Sequence, residues 1–152
     1  MNRAVVTPST NHHFFDYYDK RPCDSSNRLL LTTETDFVDR APKPEDKAGI
    51  GIVEGGDARG FRRVAETYAW NFQQGAMLQW LSARGEPVFI HNDRRDGRFV
   101  AVLRTAEGHE LNVLPHPVYH VSSDGCRALT LNFSRLARTR PGYGYAGVTD
   151  TK

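Results

Sequence analysis

A small polar turn followed by an apolar run occurs three times in this chain, and the spacing of the copies limits the folds open to it. The copies are DSSNRLLLT (24–32), SARGEPVFI (82–90) and SSDGCRALTL (122–131). Their apolar runs lie about 59 and about 40 residues apart, the first interval lengthened by the proline- and charge-rich segment 34–47. A unit of roughly 40–45 residues with four strands is the period of a β-propeller blade. Residues 71–97 show the unit most fully: a polar lead-in, a strand, a glycine turn, a second strand and a charged loop.

Local pattern assigns strands on either side of each turn. In the first unit, aromatic-dense His12–Lys20 and the short run Arg28–Thr33 read as strands. Ala48–Glu54 and the charged outer segment Phe61–Thr67 follow, separated by a turn at Gly55–Asp57. The second unit reads as strands at Gly75–Leu81, Pro87–His91, Arg98–Arg104 and His109–Leu114, with a turn at Arg84–Gly85 and a charged loop at Asn92–Gly97. The third has strands at Val118–Val121 and Arg127–Phe133, and its basic, glycine-rich continuation 134–147 reads as a loop. The fold expected is therefore all-β: antiparallel four-stranded propeller blades at about 12–67, 70–114 and 115–147, the last incomplete. A loosely attached lead (1–11) and a tail (148–152) flank them. A competing pattern is an amphipathic helix over 65–83, with Trp70, Met77 and Leu81 on one stripe. Gly75 and the glutamines Gln73 and Gln74 on that face weaken it.

A length of 152 residues is enough for one domain with a core. The formal charge of +2 gives no electrostatic reason for nucleic acid or an anionic membrane to be the partner. No 18-residue apolar run and no apolar signal core occurs, and two cysteines this far apart suggest reduced thiols in a cytoplasmic protein.

In an up-and-down blade, the loop before the first strand and the loop between the second and third open on one side. That side collects the unusual residues: His12, His13, Trp70, Asn71, Gln73, Gln74, His91, Asp93, Arg94, Arg95, Asp96, Arg135, Arg138 and Arg140. The other side carries plain turns, and loops on a rigid scaffold are where ligand sites concentrate. His12 and His13 are candidate bases or metal ligands, because neutral imidazole serves both roles, and His91 is a further catalytic candidate beside the carboxylate-clamping residues. A strand that points one histidine of a pair in and one out uses neither. Trp70 with Asn71, Gln73 and Gln74 can stack and hydrogen-bond a sugar ring; equally, Trp70 is core and the amides cap strand ends. Asp93, Arg94 and Arg95 can clamp a carboxylate, the arginine fork matching its geometry, or can form a solvated loop with an Asp96–Gly97 turn. Arg135, Arg138 and Arg140 suit anions or a solvated basic loop. Asp16-Tyr17-Tyr18-Asp19 has no metal-ligand spacing and reads as aromatic packing in an inner strand. Nucleophile elbow, phosphate loop, zinc spacing and dinucleotide fingerprint are all lacking.

The blocks HHFFDYYDKRPCDSSNRLLL, WNFQQGAMLQW, NDRRDGRFV and RPGYGY resemble bacterial propeller proteins similar to oligogalacturonate lyases and to the TolB-type, WD40-like propeller domain. The resemblance spans about 12–145. It implies a propeller of six or seven blades, of which this chain supplies two and half of a third. It also implies a carbon–oxygen lyase acting on uronate polysaccharide, with a divalent metal held by His and Gln side chains in the channel, ligands that match no position here. Two functions follow as expectations. One is a module that binds or cleaves acidic carbohydrate, with a base for the α-proton and a cation for the enolate-like intermediate. The other is a non-catalytic propeller portion offering a surface to a protein partner, including copies of itself.

Overall fold

The computed structural model describes residues 6–55, 60–81 and 86–151. Two four-stranded antiparallel meanders and a two-stranded hairpin account for its sheets. The first meander holds β1 (His12–Phe14), β2 (Leu29–Thr35), β3 (Ala48–Glu54) and β4 (Phe61–Thr67). The second holds β5 (Gln79–Leu81), β6 (Val88–Arg95), β7 (Arg98–Thr105) and β8 (Glu110–Leu114). The hairpin pairs β9 (His120–Val121) with β10 (Ala128–Leu129), and one helix, α1 (Phe133–Thr139), follows. The chain is all-β in class, and among the described residues no sheet closes on itself.

Burial explains why the strands stack as they do. Leu31, Ile50 and Ile52 of the first sheet pack on Leu78, Phe89 and Ala106 of the second, with Val64, Ala65 and Trp80 closing the seam. Ile90 and Ala101 on the opposite face of the second sheet meet Val118, flanked by Leu81, Leu103, Leu114 and Val121. Each sheet face is thus hydrophobic where it meets a neighbour, which is what layered packing requires.

Buried polar side chains then stitch the seams. Asp16 accepts from the Thr33 hydroxyl (2.7 Å) and from the Leu78 amide, tying the first unit to the second. Asp93 accepts from the Tyr68 amide (3.1 Å). Asn92 accepts from Val118 N (2.7 Å) and donates to Val118 O (2.9 Å), and Gln79 accepts from Val121 N (3.0 Å). A polar group so enclosed must be paired, and these pairs satisfy loop backbone that no strand reaches.

Several expected boundaries move. The first strand ends at Phe14, not Lys20, because Asp16 turns inward to its clasp and leaves the ladder. The strand expected from Gly75 begins at Gln79: Gly75 and Met77 have φ of 55° and 57°, a conformation that no strand carries. The same two residues, with β4 ending at Thr67, overturn the helix over 65–83. The charged loop at Asn92–Gly97 is a strand as far as Arg95, closed by a two-residue Asp96–Gly97 turn with φ of 49° and 71°, the type I′ geometry that Asp-Gly favours. The loop read at 134–147 contains α1. Asn132 caps it by accepting from Arg135 N, and buried Phe133 anchors it by stacking on Tyr145 at 4.4 Å. The turns expected at Gly55–Asp57 and Arg84–Gly85 fall mostly on residues outside the described set.

Candidate functional site

The loops expected on one side do converge, but they fill one another. Trp70 is buried, its indole donating to Asp46 O (3.1 Å) while its rings pack on Phe14, Phe37 and Phe72. Asn71 donates to Gly144 O (2.7 Å) and accepts from the Gln73 and Gln74 amides (2.9 and 2.7 Å). Gln74 is enclosed, whereas Gln73 is exposed. Arg94 donates to Pro44 O (2.6 Å) and Ala146 O (3.5 Å). Arg95 forms a two-pronged pair with Glu110 (3.0 and 2.8 Å) and also bonds Asp93 (3.1 Å), so its fork already holds carboxylates. The Glu110 hydrogen bonds raise the Arg95 pKa further. Arg135 and Arg138 converge on Asp150.

The three histidines stand apart. His12 is exposed. His13 is enclosed against the Phe61 ring (4.8 Å, edge-on), 3.9 Å from Glu34, and burial holds its pKa below the usual value. His91 is fully buried in β6. Its Nδ1–H donates to Asn92 O (2.9 Å) and its Nε2 accepts from Arg104 Nε (3.1 Å), so both nitrogens are spent. Burial and then the neighbouring Arg104 push its pKa down to about 4, which keeps the ring neutral. No three His, Cys, Asp or Glu side chains among the described residues are placed to hold a metal. Among the described residues no such cluster stands where the lyase resemblance implies a divalent metal.

A different cluster gathers aromatic and charged side chains from three segments. It is built from Tyr17–Lys20, Tyr119–His120 and Arg140–Tyr143. The Asp16 clasp fixes the base of the first segment, and Lys20 N closes a turn on Tyr17 O (3.0 Å). This leaves Tyr18 87% exposed with its ring 4.5 Å from that of Tyr17. The hydroxyl of Tyr18 beside it pushes the Tyr17 phenol up to about 12, so that phenol is neutral at pH 7. Lys20 is the reverse case. Its side chain is 2% exposed, and its ammonium lies 5.0 Å from the centre of the Tyr119 ring. It donates to Asp19 (2.8 Å) and to His120 Nδ1 (3.2 Å). Because an ammonium only donates, His120 Nδ1 accepts and the ring proton sits on Nε2. The third segment is a type II turn: Pro141 at its second position, Gly142 at φ 87°, and Tyr143 N donating to Arg140 O (3.0 Å). The turn lays the Arg140 guanidinium 3.8 Å over the Tyr143 ring.

The sequence reads Asp16-Tyr17-Tyr18-Asp19 as aromatic packing in an inner strand, and the exposed Tyr18 corrects that. The signals in the sequence were Tyr-Tyr-Asp-Lys and Arg-Pro-Gly-Tyr, in which an aromatic adjoins a cation and a turn former. Among the described residues no helix is long and apolar enough to cross a membrane. No protein-family model, curated protein or solved structure matches the chain.

Proposed function

We propose that this chain is a propeller-type module, each four-stranded meander a blade, that binds acidic carbohydrate without transforming it. The observation that carries this reading is the exposed Tyr18 beside Tyr17, with two cations, Lys20 and Arg140, seated on the neighbouring tyrosine rings. A sugar ring presents C–H faces to an aromatic platform and hydroxyls to phenolic donors, while a cation meets its carboxylate. Binding is favoured over elimination because no histidine offers a free basic nitrogen in this cluster: His120 spends Nδ1 on Lys20. Isothermal titration with a galacturonate oligomer and a neutral galactose oligomer tests the reading. The acidic oligomer is expected to bind with millimolar or tighter affinity, Tyr18→Ala and Arg140→Ala each weakening it about tenfold, in the range for a lost stacking or charged contact. Absence of binding overturns it, and ultraviolet absorbance from an unsaturated uronate product overturns the non-catalytic part.

A second reading, a surface for a protein partner, is favoured by β10. Its outer edge is unpaired among the described strands, and Leu129 and Leu131 beside it are 66% and 41% exposed. An edge of this kind accepts a further strand, from a second copy or another polypeptide segment. Light scattering that shows only monomer across a concentration series, together with no strand-adding partner on co-purification, removes this reading.

A further inference from the structure

Behind Lys20 lies a hollow that the tyrosine platform does not use. Its volume is ≈190 Å³, room for about six waters. All three units contribute to its lining: Asp19–Arg21, Cys23 and Ser25 from the first, Gln79–Leu81 from the second, and His120–Ser123 from the third. Tyr17, Tyr18, Tyr119 and Tyr143 are not part of it, so Lys20 and His120 form a wall between two sites.

We infer that this hollow binds a small oxyanion, a carboxylate or phosphate group, through the Lys20 ammonium and the His120 ring N–H. Hydrogen bonds tie the walls together. The Trp80 indole donates to Pro22 O (2.9 Å), and the Gln79 amide bonds Tyr119 O (3.4 Å) and Val121 N (3.0 Å). The charge is unbalanced. Lys20 and Arg21 face only Asp19 among the lining residues, a net +1, and the Arg21 guanidinium bonds the neutral Asn27 oxygen (2.7 Å). Asp19 draws one ammonium proton towards its own half-exposed carboxylate, and His120 Nδ1 takes a second. Among the described residues no further acceptor atom bonds the ammonium, whose other neighbour is the Tyr119 ring (5.0 Å). The same contact that occupies Nδ1 fixes the proton on Nε2, so His120 is locked as a donor in its neutral form. A buried ammonium keeps its hydration cost low only when its protons are met, and an oxyanion meets the third better than an exchanging water. The site holds whether or not a sugar occupies the tyrosines. A free ion and the acid group of a ligand that reaches across from the platform present the same oxyanion chemistry.

The test is a backbone amide NMR titration of the whole chain with inorganic phosphate and, separately, with acetate, at constant ionic strength. The amides of Val121–Ser123 are expected to shift saturably, with a dissociation constant on the order of millimolar. Phosphate acting alone assigns a phosphate ligand, acetate alone a carboxylate. Lys20→Met is expected to weaken binding about tenfold or more, and Lys20→Arg to restore most of it. His120 is exposed, so His120→Ala leaves the fold in place and is expected to weaken binding several-fold. No saturable shift with either ion overturns the inference, as does unchanged affinity in both Lys20→Met and His120→Ala. Failure of the sugar reading is seen separately, as no response of the Tyr17 and Tyr18 amides to galacturonate oligomers.

Discussion

Asp16 is the residue on which the site stands. It lies two positions before Tyr18, and its carboxylate clasps Thr33 and the Leu78 amide in a fully buried setting. Burial raises its pKa to about 7 against the hydrogen bonds that favour the ion. A raised pKa means that the stability it contributes is complete below about pH 4 and is lost as pH climbs through about 7. His91 acts in the opposite sense: its lowered pKa gives stability above about pH 6.5 that is lost as pH falls towards about 4. Asp16→Asn can keep the clasp, its oxygen accepting from Leu78 and its amide donating to Thr33. The stability of this variant relative to the parent is expected to rise between pH 4 and pH 8, by a few kcal/mol at most, roughly the scale of a three-unit shift. Denaturant melts at several pH values check this, and a difference that stays flat with pH contradicts it. Gly75 serves the same clasp. At φ 55°, an added Cβ there would lie 1.8 Å from the Asp16 carboxylate, so Gly75→Ala should cost about 2 kcal/mol or more by the same melts.

At the scale of elements, the seams carry most of the stability. Phe89 is fully buried between the two sheets, and Phe89→Ala should destabilise by about 3–5 kcal/mol, measured by chemical denaturation. Strand identity was legible where apolar runs met turn residues, as at Ala48–Glu54, Phe61–Thr67 and Arg98–Thr105. It was not legible at Asn92–Arg95, where strand and loop share the same charged composition. Asn92 and Asp93 are buried there because each serves backbone in a neighbouring segment. Short α1 was hidden for a related reason. Its stability comes from the Asn132 cap and from Phe133 on Tyr145, a contact 12 residues apart in sequence, not from an apolar stripe. The site followed the same rule. Trp70, Asn71 and His91 looked functional because they are polar or aromatic beside loops, yet tertiary contacts consume them. Tyr18 and Lys20 looked like packing, and their opposite burial, one outside and one inside, is a property of the fold that no local pattern displays.

For the whole molecule, the polar stitches join the units into one cooperative body. Trp70 reports on the aromatic cluster by the converging loops, and Trp80 on the seam between the sheets. Their combined fluorescence and the far-ultraviolet dichroism should therefore trace a single coincident unfolding transition. Two separated transitions would mean that the sheets fold independently. The same assembly brings Tyr17–Lys20, Tyr119–His120 and Arg140–Tyr143 together from distant parts of the sequence, while the loops around Trp70 and the strand at Asn92–Arg95 are closed by their own contacts. The most direct measurement of that claim is amide chemical-shift mapping with a galacturonate oligomer. Perturbations are expected at Tyr17–Lys20, Tyr119, His120 and Arg140–Tyr143, with residues 70–74 and 92–96 left in place. Perturbations confined to 70–74 and 92–96, or none at all, would contradict it.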